Sequence, residues 1–176
     1  STGIGGDCFC IFYSQKDKKV LALNGSGKSI SNIAYNSVKL TENNTIDPYC
    51  TDAVTIPGAV AGWIKINKDY GSLSMKEILG PAIDLAENGY VVADVIADMW
   101  RRETEKLKID KDCKQIFLKQ NKPFKTGEIH FQPNLAETLR EICKSGKEGF
   151  YDGWVANDIV KKLKSLGGKH TLEDFT

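Results

Sequence analysis

Residues 21–30 read LALNGSGKSI, an apolar strand-forming run that ends in Asn24-Gly25-Ser26-Gly27 with Lys28 next. Two glycines around a serine can be a turn that ends a strand. They can also be a loop that receives a small anionic ligand, the glycines giving close backbone approach and the lysine a mobile point charge. Both readings stay open on the pattern alone, and the second makes Asn24, Gly25, Ser26 and Lys28 the candidate substrate-binding residues. A nucleophile with its base is harder to find. Neither His130 nor His170 has a serine or cysteine beside it in a recognisable motif, and no Gly-x-Ser-x-Gly elbow occurs. Glu103/Glu105 and Glu173/Asp174 lie on polar faces, where solvation and helix-end electrostatics explain them. Gly3-Ile4-Gly5-Gly6 precedes a strand, whereas dinucleotide and phosphate loops follow one. Cys8 and Cys10 would share one strand face, but no histidine is near in sequence to complete a zinc site. No catalytic residue, metal ligand or cofactor is assigned within these residues.

The composition limits partners. Twenty-four basic and twenty-three acidic residues leave a formal charge of +1 over 176 residues. Nucleic acids and membrane surfaces favour a concentrated basic face, and the densest basic run, residues 101–108, is interleaved with acids. No stretch approaches the eighteen apolar residues of a membrane helix. Five cysteines without framework spacing read as reduced, which favours the cytoplasm.

The elements that position the loop follow from periodicity. Residues 7–14 (DCFCIFYS) and 19–23 (KVLAL) are strands joined by a polar turn, a β-hairpin. Residues 31–40 are weakly helical and 41–52 a polar loop. Residues 53–56 (AVTI) form a short strand, and a helix runs from Pro57 to Tyr70 and stops at Gly71. Ser74-Met75-Lys76-Glu77 has capping-box form, followed by a stripe of Ile78, Ala82, Leu85 and Ala86 and a left-handed stop at Asn88-Gly89. Further helices are expected over 92–107, on Leu135, Leu139, Ile142 and Cys143 up to Gly146, and on Val155, Ile159, Val160 and Leu163 up to Gly167. Thr171-Leu172-Glu173-Asp174 starts another. Two or three strands cannot supply a sheet for five amphipathic helices, so residues 1–176 read as one partial domain, incomplete at both ends.

Several segments together resemble the gamma-glutamyltranspeptidases (glutathione hydrolases). Residues 1–7 (STGIGGD) are similar to the family's glycine-rich entry into its first core strand, and residues 53–62 (AVTIPGAVAG) to its proline-glycine helix start. Tyr70-Gly71, residues 81–83 (PAI), 85–90 (LAENGY), 132–139 (QPNLAETL), 149–153 (GFYDG) and 167–175 (GGKHTLEDF) follow in the family's order. Each is weak alone; their collinear order across nearly the whole chain is specific. The resemblance is to the middle and later part of the large subunit. It implies an α+β chain, part of a four-layer αββα N-terminal-nucleophile hydrolase sandwich, with a β-hairpin and short strand followed mainly by helices.

It also implies an enzyme made as a self-cleaved precursor. The partner is a small subunit whose first residue is the threonine nucleophile, and which carries the glycine pair of the oxyanion hole. The substrate is a small-molecule γ-glutamyl donor, and higher oligomers occur. The gene would extend on both sides of these residues, and many relatives are exported. In typical members an Asp-Phe-Arg-Glu type motif follows the hairpin strand, and its arginine grips the donor's α-carboxylate. Here the aligned residues are Asn24-Gly25-Ser26-Gly27, so Ser26 stands where the arginine would, with Lys28 two residues on. This Leu-Asn-Gly-Ser-Gly form suits a divergent branch that includes acylase-like relatives. The expected activity is γ-glutamyl transfer or hydrolysis; the alternatives are a glutaryl-type (cephalosporin acylase-like) amidohydrolase and a non-catalytic homologue.

Overall fold

The computed structural model describes residues 3–33, 38 and 40–176. In chain order it contains β1 (Cys8–Ser14), β2 (Lys19–Gly25), a 3-10 turn (Thr51–Ala53), α1 (Ala59–Tyr70), α2 (Met75–Asn88) and β3 (Tyr90–Val91). There follow α3 (Asp94–Arg102), α4 (Thr104–Leu107), α5 (Lys111–Phe117), β4 (Leu118–Lys119), β5 (Lys122–Pro123) and β6 (Ile129–His130). The chain ends in α6 (Pro133–Tyr151), α7 (Trp154–Ser165) and a second 3-10 turn (Leu172–Phe175). It divides into two compact units, residues 1–76 with 141–176, and residues 77–140.

In the first unit β1 and β2 pair antiparallel from Cys8↔Gly25 to Ser14↔Lys19. Because side chains alternate, Cys8, Cys10 and Phe12 share a face with Leu21 and Leu23. That face meets α1: Phe12 packs edge-on against Tyr70, with ring centres 5.0 Å apart. The opposite face is apolar too, yet open. Phe9 is 68% and Ile11 75% exposed, and Tyr13 and Val20 are also more than half exposed. A strand pair apolar on both faces is built for burial on both. Ile30, Ile56, Val60, Ile142, Phe150, Val155, Val160 and Phe175 are buried.

Three expectations in this unit are corrected. The second strand runs on through Asn24 and Gly25, so the open part of the loop begins at Ser26. Residues 53–56 form no strand. Thr51–Ala53 is a 3-10 turn, and Ile56 then makes one backbone bond, its N–H donating to the Lys28 carbonyl (2.9 Å). The α1 helix starts at Ala59, after Gly58 as N-cap and two residues beyond Pro57. Of the weak helix expected over 31–40, Ala34, Tyr35, Asn36, Ser37 and Lys39 lie outside the described residues; Leu40 bridges to Ile46. Ser1 and Thr2 of the glycine-rich entry also lie outside them.

In the second unit β3 pairs antiparallel with β6. The β4–β5 pair is closed by Gln120 and Asn121, both left-handed (φ 52° and 65°), the backbone a two-residue hairpin turn requires. Neither pair was foreseen, since two-residue strands carry no periodicity. The single helix expected over 92–107 is two, α3 and α4, broken at Glu103. There the Thr104 hydroxyl donates to the carbonyls of Trp100 (2.9 Å) and Arg101 (2.9 Å), competing for acceptors a continuous helix would use.

His130 occupies the centre of this unit, within a box of Tyr90, Trp100, Phe117 and Phe124 whose ring centres lie 4.8–6.0 Å away. It is 1% exposed, and its Nε2 has no hydrogen-bond partner among the described residues. Burial pushes its pKa below the ordinary value of 6.5. The unfolded chain therefore takes up a proton as pH falls through 6.5 while the folded one resists, so this contribution to stability is complete above pH 6.5 and declines below it. Melting temperature is expected to drop between about pH 7 and pH 5, and His130→Phe to flatten that slope. Thermal melts across this range check it; an unaltered slope in the variant would rule out His130 as its source.

Candidate functional site

The candidate loop is held by hydrogen bonds with two other segments. The Gly27 N–H donates to Asp7 Oδ1 (2.7 Å). The N–H groups of Gly58 and Ala59 both donate to the Gly6 carbonyl, each at 2.9 Å. With the Ile56–Lys28 bond, these interlock residues 6–7, 25–28 and 56–59. Glycine is needed for that proximity. A Cβ on Gly27 would stand 2.0 Å from the Ile56 carbonyl oxygen, and one on Gly58 2.1 Å from the Gly25 carbonyl oxygen.

Each candidate residue has a definite place. Asn24 sits in β2 opposite Phe9, and its Oδ1 accepts from the Ser26 N–H (3.0 Å), a local Asx turn. Gly25 closes β2 opposite Cys8. Ser26 and Lys28 are both exposed, and the Lys28 amine donates to the Thr176 carbonyl oxygen (3.0 Å). The structure therefore brings Asn24, Gly25, Ser26 and Lys28 into one short surface segment. The glycines beside Ser26 face the protein's own backbone.

Four residues that sequence reasoning did not assign to the site hold this segment or the stretches beside it. Asp7 receives Gly27. The buried Tyr151 hydroxyl donates to the Pro57 carbonyl (2.7 Å) and accepts from the Ala61 N–H (3.1 Å). His170 Nε2 lies 2.9 Å from the Val54 carbonyl; the carbonyl only accepts, so Nε2 carries the proton. Asp174, 2% exposed, accepts from the Ser31 hydroxyl (2.6 Å) and N–H (2.8 Å) on Oδ1, and from the Thr171 N–H (2.8 Å) and hydroxyl (3.0 Å) on Oδ2. The Ser31 hydroxyl, then the Ser31 N–H, with the Thr171 donors, hold its carboxyl well below the usual carboxylate range. The capping box at Thr171 was the one local signal for it; the long-range partner Ser31 left none.

Among the described residues no three His, Cys, Asp or Glu side chains converge as metal ligands, and no helix is long and apolar enough to cross a membrane. The segment can fix an anionic group through an exposed amine beside an ordered backbone. A nucleophile poised next to a base is not part of it.

The sequence pattern of the gamma-glutamyltranspeptidase family matches residues 1–176. The chain is 34% identical over 177 residues to the glutathione hydrolase-like YwrD proenzyme of Bacillus subtilis, covering 99% of this chain and 33% of that protein. The structure is similar to gamma-glutamyltranspeptidase of Helicobacter pylori (TM-score 0.89, 31% identity, 98% of this chain and 50% of that one). It is also similar to a cephalosporin acylase from Bacillus halodurans (TM-score 0.87, 32% identity, 98% of this chain and 33% of that one). The chain thus spans about a third of the length of the curated relative and half of the first of these solved chains.

Proposed function

The chain belongs to the gamma-glutamyltranspeptidase family, and we propose that it forms the middle and later part of the large subunit of an enzyme that hydrolyses or transfers γ-glutamyl amides. The observation that carries this reading is the likeness to the Helicobacter pylori enzyme over 98% of the chain. The threonine nucleophile belongs to a small subunit cut from the same precursor. Its free amine takes the hydroxyl proton as the oxygen attacks the amide carbonyl, and the amine of the donor leaves with a proton. The acyl-threonine ester then passes its acyl group to water or to an acceptor amine. The outer face of the β1–β2 hairpin, with Phe9, Ile11, Tyr13 and Val20 exposed, suits burial against the rest of that sandwich. An odd number of cysteines without framework spacing supports a reducing compartment.

In this reading residues 24–28 line the acyl-donor pocket. Lys28 supplies the positive charge for the donor's carboxylate, in place of the arginine fork that Ser26 replaces. A lysine grips with less geometric control than a bidentate guanidinium, so the donor carboxylate is held loosely and water competes well with amine acceptors. One observation favours a second reading, a glutaryl-type amidase: the likeness to the cephalosporin acylase is nearly as close. Lys28→Ala and Ser26→Arg in the complete processed enzyme, assayed on γ-glutamyl and glutaryl amides of one amine, test both. A hydrogen bond to a charged group contributes roughly 1.5–3 kcal/mol, so Lys28→Ala is expected to raise KM about tenfold or more. Ser26→Arg is expected to shift preference towards γ-glutamyl. If kcat/KM ratios stay put in both variants, the loop is a turn and does not bind the donor.

A further inference from the structure

The Lys28 amine and the backbone three residues beyond it both meet one stretch of chain. Its amine donates to the Thr176 carbonyl, and three residues beyond its Cα the exposed Ser31 gives both its hydroxyl and its N–H to Asp174. Buried Ile30 lies between these two fixed points. Asp174 also governs the other end. Its second oxygen closes the capping box with Thr171, which sets the 3-10 turn that ends at Phe175 and presents the Thr176 carbonyl. The four donors on one buried carboxylate thus join two segments that lie 143 residues apart in sequence. An exposed lysine has four rotatable bonds, and without such tethers its ammonium samples a wide volume.

We propose that Asp174 is a positioning residue for the acyl donor: by fixing Ser31 and the Thr171–Thr176 turn together, it sets where the Lys28 ammonium stands for the donor's carboxylate. This rests on the reading of residues 24–28 as donor-binding. Asp174 touches no substrate; it acts through Ser31 on the backbone and through Thr176 on the amine.

The two halves of the carboxylate supply a discriminating test in the complete processed enzyme. Ser31→Ala removes the hydroxyl on the loop side, and Thr171→Val removes one on the turn side. The probes are glutaryl and butyryl anilides, which differ only in the distal carboxylate. Ser31→Ala and Asp174→Asn are expected to raise KM for the glutaryl anilide about tenfold, with kcat and butyryl kinetics unchanged. Thr171→Val, which leaves the Thr171 N–H on Asp174, is expected to lower the melting temperature and to raise KM for the glutaryl anilide by less than Ser31→Ala does. In a Lys28→Ala background, Ser31→Ala should add nothing, because the group it positions is gone. Equal losses on both anilides, or effects that add to those of Lys28→Ala, make Asp174 a structural residue and overturn the proposal. If Lys28→Ala shifts the ratio but Ser31→Ala and Asp174→Asn do not, the positioning role alone is wrong. If Lys28→Ala itself shifts nothing, the donor-loop reading falls and takes the positioning role with it.

Discussion

Gly27→Ala is expected to destabilise the protein by about 3 kcal/mol, the upper end of the usual cost of overpacking. The new methyl would meet the Ile56 carbonyl oxygen at 2.0 Å and Thr55 Oγ1 at 2.9 Å. The Ile56 carbonyl cannot retreat cheaply. Ile56 is 4% exposed, and its N–H is bonded to the Lys28 carbonyl, so any movement breaks the contact that anchors the loop. Urea unfolding of the complete protein measures the effect. The exposed Ser29→Ala serves as the control and is expected to stay within about 0.5 kcal/mol of the parent. Equal midpoints for Gly27→Ala and the parent would mean that residues 27 and 56 do not approach as described.

The second large effect is expected from Tyr151→Phe. The first N–H groups of a helix have no partner within it, and the N-cap of α1 is a glycine without a side chain to supply one. Gly6 supplies the carbonyl for Ala59, and the phenol oxygen of Tyr151 accepts from Ala61 while donating to Pro57. Tyr151 is 7% exposed, so water does not readily replace the lost hydroxyl. Leaving a buried polar group without a partner costs about 1–3 kcal/mol, and two such groups amount to about 3 kcal/mol in this setting. Unfolding measurements give the total, and amide exchange at Ala61 should quicken more than exchange in α7. A stability within about 0.5 kcal/mol of the parent would show that neither group depends on the phenol.

Much of the fold was legible in the sequence because it rests on local rules. The hairpin was set by two strand-forming runs around a polar turn, and α7 by Val155, Val160 and Leu163, all of which are buried. The expected end near Gly146 corresponds to a break inside α6, where that glycine has φ 62°. Other features depend on distance in space. Residues 53–56 have strand-forming side chains, yet no strand among the described residues pairs with them, so propensity did not become a ladder. Residues 108–131 gave no signal, because α5 and its neighbouring two-residue strands are shorter than the window over which periodicity shows.

The site divides in the same way. Asn24, Gly25, Ser26 and Lys28 were legible as an unusual loop, since glycines and a cation at a strand end are a local pattern. What the glycines avoid, the carbonyl of Ile56, was not legible, and neither was the carboxylate of Asp174 that holds Ser31. Both contacts are made between segments far apart in sequence.

The chain is proposed to be the large-subunit part of a self-processing enzyme that transfers or hydrolyses γ-glutamyl groups. The most direct measurement is to express the entire open reading frame, resolve its chains, sequence the new N-terminus and assay turnover of a γ-glutamyl anilide. Two chains are expected, the smaller beginning with threonine, with turnover that disappears when that threonine is replaced by alanine. A single uncut polypeptide that turns over neither γ-glutamyl nor glutaryl anilide would contradict it.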